Sequence, residues 1–165
     1  MFRDATLEDL AALRDLERES NLAALGHVFP ADRFPFPDDA VLARWSLVLD
    51  EPGCEVLVLD DPEPSRSRSR LIAYAAYDDS WLRHLAVRPD HWGEGLASSA
   101  IDTALHAMDL RGSTSASLWC LEENRRARRL YEYLGWRPTE DRQPAPWPPH
   151  PTEMRYERLI VASTR

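Results

Sequence analysis

Two glycines one residue apart, Gly93 and Gly95, stand directly before Leu96-Ala97-Ser98, where apolar residues begin to recur near helical spacing through Ile101, Leu105 and Met108. The first amides of a helix lack intrahelical partners and sit at the positive end of its dipole, so such a corner can hold a phosphate. Glycine has no Cβ, which lets the backbone curl and an anion approach closely. Ala97 and Ser98 are small and keep the first turn open. A glycine pair alone is equally compatible with a simple tight turn. A second group therefore matters: Asn124 suits the cap of a short helix, Tyr131 lies two turns further along the same face, and Gly135 fits the position after the helix end.

Both groups need strands to position them. Trp81 to Val87 is rich in strand formers and runs into the corner through Pro89, while Leu118 to Leu121 leads into the Asn124 turn. Simple alternation puts Trp81, Arg83, Leu85 and Val87 on one face and Leu82, His84 and Ala86 on the other. Upstream, Phe2 to Ala5 reads as a short strand. Thr6 with Asp9 reads as the start of a helix carrying Leu10, Leu13, Leu16 and Glu17 to about Ser20. Asp38-Asp39 opens a second helix to Leu49, ended by Pro52-Gly53, and Cys54 to Leu59 and Leu71 to Tyr77 read as antiparallel strands. Between them Asp60 to Arg70 is a charged Ser-Arg segment, read as a solvated hairpin tip. Ala116 to Leu121, Trp136 to Arg142 and Met154 to Val161 complete the strands.

The sequence resembles the GNAT superfamily of acyl-CoA-dependent N-acetyltransferases. The resemblance rests on Leu85-Ala86-Val87, Pro89 and Gly93-Glu94-Gly95-Leu96-Ala97, followed in order by Asn124, Ala127, Leu130, Tyr131 and Gly135-Trp136. It implies one α/β (α+β) domain over residues 1–165, with a mixed central sheet splayed between two parallel strands and flanked by helices. It also implies acetyl-CoA as co-substrate and no metal. The pyrophosphate would lie on Trp92, Gly93, Glu94, Gly95, Leu96, Ala97 and Ser98, and the pantetheine arm along Leu85, Ala86 and Val87, with Asn124 bordering the donor site. Tyr131 would give a proton to the departing thiolate, its phenol being acidic enough near pKa 10 to do so. Trp92 departs from the family pattern, which commonly has Arg or Gln at that place.

The base is less defined. Relatives often carry Glu or His on the face that Trp81 and Arg83 occupy, and neither of these takes a proton readily. His84 has the right chemistry but the opposite parity, which makes it structural. Asp79 shares the parity of Trp81 and is the candidate, acting through water. Trp119 stands five residues before Asn124, where relatives that acetylate protein N-termini often carry Glu. A small-molecule amine is accordingly the leading acceptor. A protein α-amine, or a coenzyme-binding module without turnover, is the alternative.

Asn21 to Asp39 loses helical period and gains Pro30, Pro35 and Pro37 among His27, Phe29, Phe34 and Phe36. It is read as one wall of an acceptor pocket with Trp81 and Arg83, or as a lid over the core. Gln143 to Pro151 is a stiff proline-rich loop at the acceptor mouth or on the surface. A chain of 165 residues suits one domain with a real core, and a net charge of −8 argues against nucleic acid. No lysine occurs among the twenty basic residues. Cys54 and Cys120 lie in apolar runs and read as free thiols of a reducing compartment. With no apolar run near the roughly 20 residues of a membrane span and no basic-then-apolar start, the expectation is a cytoplasmic protein with no membrane contact. The resemblance leaves a homodimer open.

Overall fold

The computed structural model describes residues 1–62 and 70–161. In chain order the elements are β1 (Arg3–Asp4), α1 (Leu10–Leu25), α2 (Asp38–Asp50), β2 (Glu55–Asp60), β3 (Leu71–Tyr77), β4 (Leu82–Val87), α3 (Leu96–Leu110), β5 (Ser115–Leu121), α4 (Arg125–Tyr133), β6 (Arg137–Pro144) and β7 (Thr152–Leu159). The Ser-Arg repeat lies largely outside the described residues.

The strands form two antiparallel sheets, one ordered β1-β2-β3-β4 and the other β5-β7-β6. They meet at a parallel bridge between Trp81 and Ser117, where the Ser117 N–H donates to the Ser80 carbonyl at 2.8 Å. Among the described residues β4 and β5 pair no further beyond that rung, and each runs into its own helix. This is the splayed α+β arrangement expected from the sequence.

All seven residues of β3 are buried, because helices cover both faces of its sheet. On one face Leu13 and Leu16 of α1 and Val41, Trp45 and Val48 of α2 pack on Val56, Val58, Tyr74 and Ala76. On the other, Ala100, Ile101, Ala104, Leu105 and Met108 of α3 pack on Ala75, Tyr77 and Leu82, and this core continues into the second sheet through Leu118, Cys120, Met154 and Tyr156. The chain enters α1 through a reciprocal cap. The Thr6 hydroxyl accepts from the Glu8 N–H, and the Asp9 carboxylate accepts from the Thr6 N–H at 2.8 Å and from Arg3.

Two elements differ from the sequence reading. Helix α1 runs to Leu25 rather than about Ser20, since Leu22-Ala23-Ala24-Leu25 favours helix until Gly26. In β4, Ala76 pairs with His84 but its neighbour Tyr77 pairs with Leu82, so Arg83 is an extra, bulged residue. The bulge breaks alternation. Leu82 joins the core beneath α3, while Arg83 reaches Glu51 at the end of α2 and His84 packs on Trp45. Arg83 and His84 thus share the side of α1 and α2, which corrects the parity read from sequence.

Candidate active site

The wedge between the two sheets opens into a cavity of about 410 Å3. Its floor is the end of β4, Leu85 to Val87, and the glycine corner, with Gly93 at φ +89° and Gly95 at φ +79°. Residues with a Cβ seldom adopt this left-handed region. A Cβ built on either glycine meets nothing within 4 Å, so the space above them is open. Gly95 caps α3 without any side-chain hydrogen bond, and the first intrahelical amide is that of Ser99, donating to the Gly95 carbonyl at 3.0 Å. Leu96, Ala97 and Ser98 line the cavity with their amides unclaimed by a cap. Among the predicted donor residues, Glu94 is the one outside this lining, its carboxylate paired with His91 at 3.1 Å.

Among the described residues the edge of β4 facing the cavity is unpaired. The Arg88 N–H donates to the Ile72 carbonyl at 2.9 Å, so antiparallel alternation directs the amides of His84, Ala86 and Arg88 at β3 and those of Leu85 and Val87 at the wedge. The Val87 carbonyl already accepts from the Ser20 hydroxyl at 3.1 Å and from the Trp92 indole N–H at 2.8 Å. Trp92, the departure from the family pattern, thereby ties the corner to the strand end. The Arg126 guanidinium lies 4.0 Å from its ring centroid, bringing a positive charge to the lining.

The opposite wall is α4. The Asn124 side chain accepts from the Ala127 N–H at 3.2 Å and caps the helix. At the other end the Gly135 N–H donates to Glu132 and the Trp136 N–H to Tyr131, a Schellman closure. It holds Tyr131, whose ring meets Trp136 and Tyr156 at 6.1 and 6.0 Å. Tyr131 is buried yet lines the cavity, and burial raises its phenol far above the usual range, with Cys120 and Tyr156 adding to the effect. The hydroxyl therefore stays protonated. Cys120 itself, free and buried, is pushed up to about 12 by desolvation, and Cys54 is also a free thiol.

A second cavity of about 470 Å3 adjoins the first at Asn21, which lines both. Phe29, Phe34 and Phe36 from the first loop and Trp147 from the second are its aromatic lining, with Glu17 and Arg33 as its charged residues. His27 lies outside it. The His27 ring instead meets the Glu123 carbonyl at 3.0 Å, tying the segment after α1 to the turn before α4. Trp81 is also elsewhere, stacked on Trp119 with centroids 6.1 Å apart, and Arg83 is held by Glu51 at 2.8 Å. Asp79 does not reach either cavity. It is 72% exposed and pairs with Arg111 at the end of α3, beyond the far end of β4 from the glycine corner. His84 is pushed down to about 3 by burial, with Arg44 and Arg83 adding to it, and is neutral against Trp45.

Sequence reasoning did not put Ser20, Asn21, Ala24 and Leu25 of α1, His91 of the corner or Arg126 of α4 on this cavity, although it read Asn21 to Asp39 as a pocket wall or a lid. The signal for α1 was its alanine-rich run ending in glycine, which continues the helix past Ser20 so that Asn21, Ala24 and Leu25 share a face. A larger depression of about 790 Å3 lies between α3 and the end of β7 and contains none of the predicted residues. Among the described residues no cluster of His, Cys, Asp or Glu could hold a metal ion, and no helix is long and apolar enough to cross a membrane.

Paired sheets splay beside an uncapped, glycine-bearing helix start, with a buried tyrosine opposite. Residues 10–136 match the profile of the Acetyltransferase (GNAT) family, and the chain belongs to that family. No match to a curated protein sequence is found. Among solved structures the chain is similar to the ribosomal-protein-S18-alanine N-acetyltransferase of Escherichia coli, at TM-score 0.70 and 18% identity over 100% of this chain and 96% of that one. It is similar to the PaiA N-acetyltransferase of Thermoplasma acidophilum in complex with coenzyme A, at TM-score 0.70 and 15% identity over 96% and 98%. A phosphinothricin acetyltransferase of Sinorhizobium meliloti in complex with acetyl-CoA aligns at TM-score 0.68 and 18% identity over 99% and 90%.

Proposed function

We propose that the protein transfers an acetyl group from acetyl-CoA to the primary amine of a small molecule by direct attack. The observation that carries this reading is the cavity that joins the open amides of the glycine corner, the unpaired edge of β4 and the hydroxyl-bearing ring of Tyr131. The pyrophosphate fits the helix start, where Arg126 adds positive charge. The pantetheine arm fits the edge of β4 like an added strand, bonding to backbone groups of Leu85 and Val87. An amide there also serves to polarise the thioester carbonyl.

The amine nitrogen attacks the thioester carbon, the C–S bond breaks, and the sulfur takes the Tyr131 proton. The proton lost from the amine passes to water, and the phenolate regains a proton from solvent. Glu17 is the sole carboxylate among the described residues lining the two cavities, and it is already bonded to Arg44 and to the Trp45 indole at 2.8 Å. The acceptor therefore reacts from its free-base fraction. Asp79, held by Arg111, has no part in this scheme.

Calorimetry with acetyl-CoA and release of free thiol in the presence of amines test the proposal together. The parent binds acetyl-CoA, and Gly95→Asp binds it at least tenfold more weakly by steric and charge conflict with the phosphates. Equal affinity in the variant removes the phosphate assignment. Binding without thiol release above hydrolysis, for every amine offered, would leave a coenzyme-binding module.

A further inference from the structure

The second cavity has a composition that selects among amines. We infer that the acceptor is a hydrophobic α-amino acid or a close analogue, a primary amine on an aryl or branched apolar body that also carries a carboxylate. This rests on the donor reading above and on Asn21, which is common to the linings of the two cavities.

Three observations lead to it. The wall is apolar and aromatic, built from Phe29, Phe34, Phe36 and Trp147, and a volume of about 470 Å3 is within the range of small-molecule sites. Pro35 and Pro37 flank Phe36 and Pro148 follows Trp147, so these rings sit on stiff backbone and lose little freedom when a ligand orders them.

The charges then decide between bodies. Glu17 is neutralised by Arg44, whereas Arg33, exposed on the lining, lies over the Phe34 ring at 5.6 Å and makes no ion pair among the described residues. The unbalanced charge of the pocket is positive. A polycationic acceptor, such as a polyamine, finds no free carboxylate there and meets Arg33 instead. A carboxylate, by contrast, gains a charge-assisted contact with the planar guanidinium. The same positive charge favours the neutral form of the incoming amine, which is the form that attacks.

The third observation concerns Asn21. It is half-buried at the junction, and its side-chain amide makes no hydrogen bond among the described residues. Its oxygen is free to accept from the amine and hold it at the passage between the two cavities.

The test measures thiol release from acetyl-CoA by the intact protein with phenylalanine, phenethylamine, spermidine and a short alanine-first peptide. Phenylalanine has the highest kcat/KM. In Arg33→Met, whose exposed site leaves folding undisturbed, the ratio of kcat/KM for phenylalanine to that for phenethylamine falls about tenfold or more, the worth of one charged hydrogen bond. Asn21→Leu lowers kcat for both compounds. Faster turnover of spermidine or of the peptide overturns the inference, as does an unchanged ratio in Arg33→Met. If acetyl-CoA binds and another amine is acetylated, the acceptor inference alone falls. If acetyl-CoA does not bind, the donor reading falls and takes this one with it.

Discussion

Gly95→Ala separates the cost of a backbone shape from the cost of a lost ligand contact. Gly95 sits at φ +79°, and its added methyl group meets no protein atom within 4 Å, so the whole penalty in the free protein is conformational. An L-residue forced into the left-handed region costs about 1–2 kcal/mol. For a chain of this size that lowers Tm by about 2–8 °C. Gly53, at φ +84° in the turn after α2 and equally unobstructed, supplies the matched control. Gly53→Ala should lose the same stability. The two should part company on acetyl-CoA, because Gly95 lines the cavity proposed for the donor and Gly53 does not. On the proposed reading the Gly95 methyl intrudes where phosphate would approach the amides of Leu96 to Ser98, and losing one charged hydrogen bond there costs about 1.5–3 kcal/mol, or roughly ten- to a hundredfold in Kd. Thermal unfolding and calorimetric titration of both variants provide the readout. The reasoning is refuted if Gly95→Ala binds acetyl-CoA as tightly as Gly53→Ala.

Tyr131→Phe removes a hydroxyl that has no hydrogen-bond partner among the described residues, so turnover drops by about 10²-fold or more while Tm moves little. Parallel acetyl-CoA titration checks that affinity holds, and unchanged kcat rules out Tyr131 as the acid. The acidic limb of kcat/KM should follow the pKa of the acceptor amine, since Glu17 is tied up and His91 is paired with Glu94 at the phosphate end. Amines of graded basicity measure this, and a limb fixed across the series contradicts it. His84 is held below its free value of 6.5, down to about 3, so between those pH values the unfolded chain binds a proton that the folded one does not. That part of the stability is lost as pH falls from 6.5 to about 3, and urea midpoints of His84→Gln decline less steeply over the window. Asp9 is lowered by its bonds to Arg3 and Thr6, so its contribution is present above its ordinary value of 3.8 and fades as pH drops below it. Asp9→Asn costs about 1–3 kcal/mol at neutral pH by urea unfolding, and a loss as large in strong acid would refute the ionic origin.

What the sequence disclosed followed from local rules. Glycines before a helical period, an asparagine cap and a glycine stop each act within a few residues, so the corner, the cap of α4 and the setting of Tyr131 were legible. The aromatic loops were legible too, because prolines and phenylalanines without period have few other uses. Placement that depends on a partner strand was not. Arg83 is bulged by how β4 meets β3, and nothing in Trp81-Leu82-Arg83-His84 announces it, so simple alternation misplaces the faces of Leu82 and Arg83 while leaving His84 opposite Leu85 as read. Asp79 and His27 were likewise settled by distant residues, Arg111 and the Glu123 carbonyl. Charge-bearing side chains on turns take whichever partner the fold delivers.

Among the described residues one backbone rung, Trp81 to Ser117, joins the two sheets through their main chains, and from there they open like the legs of a compass. The angle between the legs is fixed on one side by the shared core and on the other by whatever fills the gap. Amide protons of Leu85 and Val87 face that gap with no neighbouring strand to shield them, so deuterium uptake there reports occupancy directly. On the proposed reading, the coenzyme's arm would stand in for the strand that β4 lacks on that side.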